Sequence, residues 1–240
     1  MRLVLKYGGT SVGSLEKIKK IAEYIKGLKD KVNEIVVVVS AMGKTTDILL
    51  EKARALCGEP SKRELDMLMT VGEQESIALM SIALNGIGCS AVSYLGSQIK
   101  IETEGPYGDS QIKEINIEKI ENDLAQNKVV IVAGFQGVNS EGDITTLGRG
   151  GSDTTAVALA GKLKCQCKIY TDVDGVYTED PRKSKNAQKY KEISYNQMEK
   201  LSREGAQVME LRAVQIGHKY KVPIFIGKSL GSEEGTYISE

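Results

Sequence analysis

Short apolar runs alternate with longer amphipathic segments along this chain of 240 residues, and that alternation limits the folds it can adopt. The runs Leu3–Tyr7 and Ile35–Ser40 are apolar enough to be buried strands, and the second is rich in β-branched valine. Between them, a helix over residues 14–28 would carry its apolar side chains on one face, with Ser14 as its N-cap. Strands that alternate with helices predict an α/β fold with a largely parallel sheet that is covered on both faces.

The rest of the chain continues this alternation. As far as residue 146, we predict a helix at 61–84 that opens with a capping box, strands at 91–94 and 99–101, a helix at 115–126, a strand at 129–133 and a hairpin-like excursion at 134–146. Beyond it, we predict a helix that opens at 150–153 and ends near 163, a strand at 168–171, an ordered surface loop at 174–191, a capping box at 194–197 followed by two helices, a strand at 222–226 and at most a short strand at 236–238.

Charge balance and cysteine spacing narrow the function classes. Thirty-two basic and 32 acidic residues cancel, which argues against a nucleic-acid-binding surface but leaves a local phosphate site open. The four cysteines lack zinc-ligand spacing and the chain has one His, so buried thiols are favoured over metal or redox chemistry. Charge interrupts the N-terminus before a signal-peptide core could form, and the longest apolar run, Ile35–Val39, is too short for a membrane span. We therefore expect a cytoplasmic protein.

No linker, repeat or low-complexity segment divides the chain. We expect one domain over residues 1–240, with an N-terminal lobe of about 1–150 and a C-terminal lobe of about 151–240.

The first candidate site is Lys6-Tyr7-Gly8-Gly9-Thr10-Ser11, which lies between the first predicted strand and the first predicted helix. Ligands of open α/β sheets bind outside the carboxyl ends of the strands, and paired glycines let backbone N–H groups approach phosphate oxygens. Lys6 would supply a cation for a transferring phosphoryl group. A plain turn with an exposed lysine is an equally good interpretation of this segment alone.

The second candidate, Ser40-Ala41-Met42-Gly43-Lys44-Thr45-Thr46, resembles the end of a Walker A loop. That motif needs a glycine where Val38 stands, so a P-loop is rejected. The segment remains a strand-end loop with three hydroxyl groups that can hydrogen-bond to a small polar ligand.

The third candidate, residues 145–155, contains Gly148-Arg149-Gly150-Gly151-Ser152-Asp153. Arg149 offers a bidentate fork for a carboxylate, and a helix that begins near Ser152 adds its positive end. Asp153 would pair with a substrate ammonium or cap its own helix. Asp153 also stands where a G-x-G-x-x-G dinucleotide-binding loop has its third glycine. The sequence therefore does not favour a dinucleotide-binding site here.

Two further features stand out. The segment 170–182 follows a strand and combines turn residues, two tyrosines and an arginine, which suits a nucleotide; a proline-fixed loop with surface charges is the alternative. Glu73 follows Gly72 within the long predicted helix, where a break would turn the carboxylate inward. An exposed position on a helix face is the alternative for Glu73.

Together these segments, with Ala133-Gly134-Phe135-Gln136-Gly137, closely resemble the aspartokinase catalytic domain, and they occur in the same order over nearly the whole chain. The resemblance implies the three-layer α/β/α fold of the amino acid kinase superfamily, with a mainly parallel central sheet. It also implies ATP-dependent phosphorylation of the β-carboxylate of L-aspartate to 4-phospho-L-aspartate, the first step towards lysine, threonine and methionine.

The resemblance further implies roles for individual residues. Lys6 and Asp153 are expected to be catalytic. The expected substrate-binding residues are Thr46, Glu73, Arg149, Gly150, Gly151 and Ser152. The expected ATP-binding residues are Lys6, Tyr7, Gly8, Gly9, Ser40, Thr171, Asp172, Tyr177, Thr178, Glu179, Asp180, Pro181 and Arg182. Mg²⁺ is expected to arrive with ATP and to be held by no protein side chain.

Three departures from the family pattern qualify the resemblance. Gln207 stands where the family commonly has a nucleotide-contacting lysine, and Thr103-Glu104 stands where it usually has Thr-Asp. The sequence given also ends at Glu240, before any regulatory ACT domain, so we expect no feedback by lysine or threonine on this chain alone.

Several alternatives stay open at this stage. A glutamate, acetylglutamate, carbamate or uridylate kinase would share the fold, and Gln207 keeps a catalytically weak binding protein under consideration. A homodimer and a regulatory chain in trans are further alternatives for its partners.

Overall fold

The computed structural model describes residues 1–179, 181, 183–205, 208–228 and 234–240, and these residues form eight helices and twelve strands. The helices are α1 (Leu15–Lys29), α2 (Thr45–Leu56), α3 (Lys62–Met69), α4 (Val71–Gly86), α5 (Glu118–Ala125), α6 (Gly151–Leu163), α7 (Tyr195–Arg203) and α8 (Leu211–Tyr220). The strands are β1 (Arg2–Tyr7), β2 (Glu34–Val39), β3 (Ala91–Tyr94), β4 (Ile101–Glu104), β5 (Gln111–Ile115), β6 (Val129–Ala133), β7 (Gln136–Val138), β8 (Ile144–Thr146), β9 (Gln166–Thr171), β10 (Glu192–Ser194), β11 (Ile224–Lys228) and β12 (Gly235–Ser239).

The central sheet has eight strands in the order β10-β12-β11-β9-β1-β2-β6-β3. Its pairs are parallel except for β11 with β12, which run antiparallel. The predicted α/β fold with a mainly parallel sheet is therefore confirmed. The short strand predicted at 236–238 is also confirmed, as part of β12.

Each face of the central sheet packs against its own helices, which gives three layers. Leu3, Leu5 and Tyr7 of β1 point into a core shared with α1 and α4, while Val4 points into a core shared with α5, α6, α7 and α8. Because successive side chains of a strand alternate between faces, Lys6 lies on the α6 side with Val4. The strand period thus decides which helix Lys6 can reach.

A second sheet has the strand order β5-β4-β7-β8. The antiparallel pair β7 and β8 is the hairpin predicted at 134–146. Strand β5 occupies Gln111–Ile115, next to the predicted start of the helix at 115–126, which begins only at Glu118. The β7–β8 hairpin of this sheet connects β6 to α6, and the Arg149 segment follows β8.

The single helix predicted at 61–84 is wrong, because the chain bends at Thr70 into α3 and α4. The Thr70 hydroxyl donates to the Met67 carbonyl at 3.1 Å, and the Thr70 carbonyl accepts from Gln136 Nε2 at 3.4 Å. After the bend, Gly72 packs closely on Ala41: a Cβ atom added at residue 72 would lie only 2.6 Å from the Ala41 Cβ. The helix is therefore interrupted where the chain meets other parts of the fold, contacts that a local helical pattern does not encode.

The capping box predicted at 61–64 is also wrong, since the Ser61 side chain makes no capping hydrogen bond. The capping box at Ser194 and Gln197 is confirmed, with both reciprocal bonds present. Helix α2 was not predicted at all. Its apolar side chains do repeat with a helical period, although none of its residues is buried.

Among the helices in the described part of the chain, none has the length and apolar character needed to cross a lipid bilayer.

Candidate active site

The loops at the carboxyl ends of the central strands are tied together by backbone hydrogen bonds. Ser40 N–H donates to the Tyr7 carbonyl at 3.2 Å, and Gly8 N–H donates to the Tyr170 carbonyl at 3.2 Å. Strand β1 has β2 on one side and the much later β9 on the other, both parallel to it, so the order in which strands are added to the sheet reverses at β1. Open α/β sheets bind ligands at such a reversal, outside the carboxyl ends of the strands.

A cavity of about 300 Å³ opens at this edge of the sheet. The residues that line it are Lys6, Gly9, Ser40, Ala41, Gly43, Thr46, Glu73, Phe135, Gly148, Arg149, Gly150, Gly151, Ser152 and Asp153. All six residues expected to bind substrate are among them, as are both residues expected to be catalytic. Segments that are far apart in the sequence thus share one ligand-sized space.

Lys6 and Asp153 form an ion pair on one wall of the cavity. Lys6 Nζ lies 2.6 Å from Asp153 Oδ1, at angles outside those of a regular hydrogen bond, and both side chains are largely buried. Asp153 lies in the first turn of α6, the helix that the strand period makes Lys6 face. The capping alternative for Asp153 is wrong, because Gly150 is the N-cap of α6 and no side chain caps it. Asp153 therefore holds the amino group of Lys6 at the cavity.

Glu73 is the buried acid of the site. It is 3% exposed, so the exposed-helix alternative is wrong. Its Oε1 accepts the Ala41 N–H at 3.0 Å, while no partner for Oε2 exists among the described residues. Burial raises the pKa of Glu73 to about 7, and the bond from Ala41 opposes that rise. A cationic ligand group next to Oε2 would stabilise the ionised form.

Arg149 lies at the cavity edge with an exposed side chain, and it has no ion-pair partner within the described ranges. The flanking Gly150 has φ of 65°, a left-handed conformation that glycine adopts without strain. Next to it, the Thr154 N–H donates to the Gly150 carbonyl at 3.1 Å and starts α6. The loop therefore offers an exposed cation beside the positive end of a helix.

The residues expected on the nucleotide side are arranged differently. Of the described ones, Thr171, Asp172, Tyr177, Thr178, Glu179 and Pro181 do not line the cavity. Thr171 ends β9, and the others follow it in a segment that contains a bridge between Tyr177 and Lys189. Asp174 accepts hydrogen bonds from both of these side chains. Asp180, Arg182 and Gln207 lie outside the described residues.

Tyr7 is fully buried, with its ring stacked on that of Tyr170 at 5.2 Å between centroids. Only its backbone is therefore available to a ligand. The adjacent Gly9 carbonyl accepts the Gly43 N–H at 3.0 Å, which joins the first two glycine-bearing loops.

Some residues of the cavity wall were not predicted from the sequence. Ala41 contributes its N–H to Glu73, and the ring-bearing Phe135 has a positive φ of 72°. Nothing in a lone alanine signals such a role. Gly134, directly before Phe135, and Gly137, two residues after it, are the sequence signal of its turn.

Three or more His, Cys, Asp or Glu side chains placed to hold a metal ion do not occur together in the part of the chain that the structure describes.

Comparison with known proteins identifies the family of this fold. The sequence profile of the Amino acid kinase family matches residues 1–228. The chain is 51% identical over 239 residues to an aspartokinase of Bacillus sp. (strain MGA3) and 52% identical to an aspartokinase of Geobacillus stearothermophilus. Each match covers 99% of this chain, with 58% of the first relative and 59% of the second, so the chain spans little more than half of their length.

Solved structures give the same answer. Aspartate kinase from Synechocystis has a TM-score of 0.88 at 44% identity, over 100% of this chain and 40% of that one. E. coli aspartokinase III in complex with aspartate and ADP has a TM-score of 0.88 at 25% identity, over 100% of this chain and 65% of that one. UMP kinase from Ureaplasma parvum, at 18% identity and a TM-score of 0.70, shares the fold over 100% of this chain and 99% of its own. Because the family profile extends from residue 1 to residue 228, the chain belongs to the amino acid kinase family.

Proposed function

We propose that this chain carries the catalytic site of an aspartate kinase, which transfers the γ-phosphoryl group of ATP to the β-carboxylate of L-aspartate and forms 4-phospho-L-aspartate. One observation supports this most directly: a single cavity holds an unpartnered carboxylate oxygen on Glu73, the guanidinium of Arg149 and the amino group of Lys6. An amino dicarboxylic acid has the complementary groups, which are an ammonium and a carboxylate for recognition and a second carboxylate for reaction. The many aspartokinases among its relatives support the same substrate.

On the amino-acid side, Glu73 Oε2 binds the substrate ammonium and Arg149 binds the α-carboxylate as a fork. Thr46 and Ser152 add hydroxyl donors. Gly150 and Gly151 add backbone donors at the start of α6, where the helix dipole favours negative charge.

Lys6 acts at the transfer step. Its ammonium stabilises the charge on the transferring phosphoryl group, and Asp153 keeps that ammonium in place through their ion pair. The β-carboxylate is already ionised near neutral pH, since the ordinary pKa of aspartic acid is about 3.9. No general base is therefore needed, and catalysis depends on positioning and electrostatics.

ATP approaches from the ends of β1, β2 and β9. Lys6, Gly8, Gly9, Ser40 and the Tyr7 backbone contact its phosphates, and Thr171, Asp172 and residues 177–182 contact its nucleoside. Mg²⁺ would arrive with ATP and neutralise phosphate charge, and we assign it to the phosphates, which are its usual partners in such sites. E. coli aspartokinase III was crystallised with aspartate and ADP, which supports the same pair of ligands here.

The setting of this activity is also a proposal. We assign the amino acid to the lobe of about residues 1–150, the nucleotide to the lobe of about 151–240, and the protein to the cytoplasm. We propose that the reaction opens the route to lysine, threonine and methionine, and that copies of the chain associate as a homodimer.

Trapping of the acyl phosphate tests the proposal. The purified chain is incubated with ATP, Mg²⁺, hydroxylamine and L-aspartate, and aspartyl hydroxamate is measured. N-acetyl-L-aspartate lacks the ammonium that Glu73 needs, and L-glutamate is one methylene longer, so both should react poorly. Absence of hydroxamate from folded protein, or a preference for glutamate or UMP as acceptor, would contradict the proposal.

A further inference from the structure

A second acid, Asp66, lies outside the cavity and is completely buried in α3. Its Oδ2 accepts the Gly108 N–H at 2.9 Å and the Thr146 N–H at 2.9 Å, and its Oδ1 accepts the Thr146 hydroxyl at 2.8 Å. Thr146 is 80 residues away in the sequence. No Lys, Arg or His pairs with Asp66 within the described ranges, so these three donors offset the cost of burying it.

The segment held by Asp66 leads directly to Arg149. Thr146 is the last residue of β8, three positions before Arg149. At the next residue, Arg212 of α8 donates through Nη1 to the Leu147 carbonyl at 2.9 Å. The backbone that precedes Arg149 is therefore held by side chains of two other helices, α3 and α8.

Arg149 itself depends on this backbone for its position. Because its guanidinium has no partner among the described residues, no other side chain holds it over the cavity. A small displacement of the end of β8 would move the base of the Arg149 side chain. A substrate fork misplaced by about 1 Å can cost up to about 100-fold in an enzyme reaction.

We propose that Asp66 is a positioning residue for substrate recognition: it fixes the end of β8 so that the loop 147–150 presents Arg149 to the amino-acid carboxylate. This rests on the proposed function, since it assigns Arg149 to the substrate. Its effect is specific to one ligand. Loss of Asp66 weakens aspartate binding, and ATP binding on the other side of the cavity is maintained.

The first test is Asp66→Asn, which keeps the size of the side chain and turns a donor towards the Gly108 or Thr146 donors. We expect the KM for aspartate to rise about tenfold, with kcat within a few-fold of the parent and the KM for ATP unchanged. The matched control is Asp123→Asn. Asp123 is a buried carboxylate of α5 that accepts from Tyr94 and Lys128, and it does not line the cavity. Asp123→Asn should lower the Tm without changing the KM for aspartate.

A double-mutant cycle separates positioning from general destabilisation. If Asp66 acts through Arg149, Asp66→Asn should add little to the KM for aspartate in an Arg149→Ala background. Equal increases of that KM in both backgrounds would overturn the inference, as would a folded Asp66→Asn variant with a KM for aspartate within twofold of the parent.

Should Asp66→Asn fail to fold, Thr146→Val carries the test. It removes the hydroxyl donor to Asp66 and keeps the N–H donor, so a smaller rise in the KM for aspartate is expected, again without change for ATP. An unchanged KM in this folded variant would overturn the inference. A parent chain with no turnover and no aspartate binding overturns the proposed function, whereas an active parent with unaffected variants overturns only the role of Asp66.

Discussion

The two sides of the proposed active site are built in different ways. The amino-acid side consists of groups that distant segments bring together, such as Glu73 with Ala41 and Asp66 with Thr146. The nucleotide side, residues 171–191, is organised largely by contacts within itself, between Asp174, Tyr177 and Lys189. Hydrogen bonds to β12 join it to the core: Val176 N–H donates to the Thr236 hydroxyl at 2.8 Å, that hydroxyl donates to the Tyr190 carbonyl at 2.6 Å, and Tyr237 N–H donates to the Lys191 carbonyl at 2.9 Å.

The difference indicates where each substrate gains its specificity. A buried, prearranged set of groups loses its function when one member moves, because nothing nearby can replace it. A surface segment held by exposed ion pairs tolerates the loss of one, since such pairs contribute only about 0–1 kcal/mol each. We therefore expect changes on the amino-acid side to be large and selective, and changes in the 171–191 segment to be small.

The largest expected effect is that of Lys6→Ala. Loss of one electrostatic donor to the transition state should lower kcat by about 10²–10³, with little change in the KM for aspartate. Steady-state hydroxamate formation measures both constants. Lys162→Ala is the control, because Lys162 pairs with Glu114 at the surface and lies outside the cavity. Turnover of Lys6→Ala within a few-fold of the parent would reassign Lys6 as a structural lysine.

Arg149→Ala should act on binding rather than on turnover. Hydrogen bonds to charged groups are worth about 1.5–3 kcal/mol, so the KM for aspartate should rise roughly 10- to 100-fold while the KM for ATP stays constant. Arg63→Ala, which breaks an exposed pair with Asp143, is the matched control. A parallel rise in the KM for ATP would contradict the separation of the two sides.

Glu73 should make aspartate binding depend on pH. Its ionised form binds the ammonium, and burial raises the pKa of Glu73 to about 7, so binding is present above that pH and is lost as the pH falls through it. Below pH 7, the KM for aspartate should rise by up to about tenfold per pH unit. Glu73→Gln should have a high KM with no such dependence between pH 5.5 and 8. If the variant retains the parent's pH profile, another group is responsible.

The smallest expected effect lies on the nucleotide side. Asp174→Asn weakens the contacts to Tyr177 and Lys189, which are only partly buried, and should raise the KM for ATP by less than about fivefold. The KM for aspartate should not change. An effect as large as that of Arg149→Ala would show that the 171–191 segment is as tightly built as the amino-acid side.

Patterns within short segments predicted much of the fold. The apolar runs of β1, β2 and β6 and the period of α1 appear where the sequence places them. The capping residues Ser14 and Ser194 also act as predicted, since a cap needs only groups three residues away. The family resemblance then named residues that the fold gathers into one cavity.

Contacts between distant segments account for what the sequence missed. The helix break at Thr70 coincides with contacts from Gln136 to Thr70 and from Ala41 to Gly72, and Glu73 lines the cavity just beyond it. Helix α2 differs: its apolar residues repeat with a helical period, which the sequence analysis missed, and none of its residues is buried.

The sequence by itself therefore determined the alternation of strands and helices, their main caps and the set of residues available for chemistry, because hydrophobic period and capping are local properties. Only the tertiary structure decided how those residues pair: Lys6 with Asp153, Glu73 with Ala41, and Asp66 with Thr146. The physical reason is that each pairing joins groups that become neighbours only when the sheet has formed and the helices have packed on it. Strand period sets the direction of the Lys6 side chain, whereas the helix break at Thr70 and the close packing of Gly72 precede the inward-pointing Glu73.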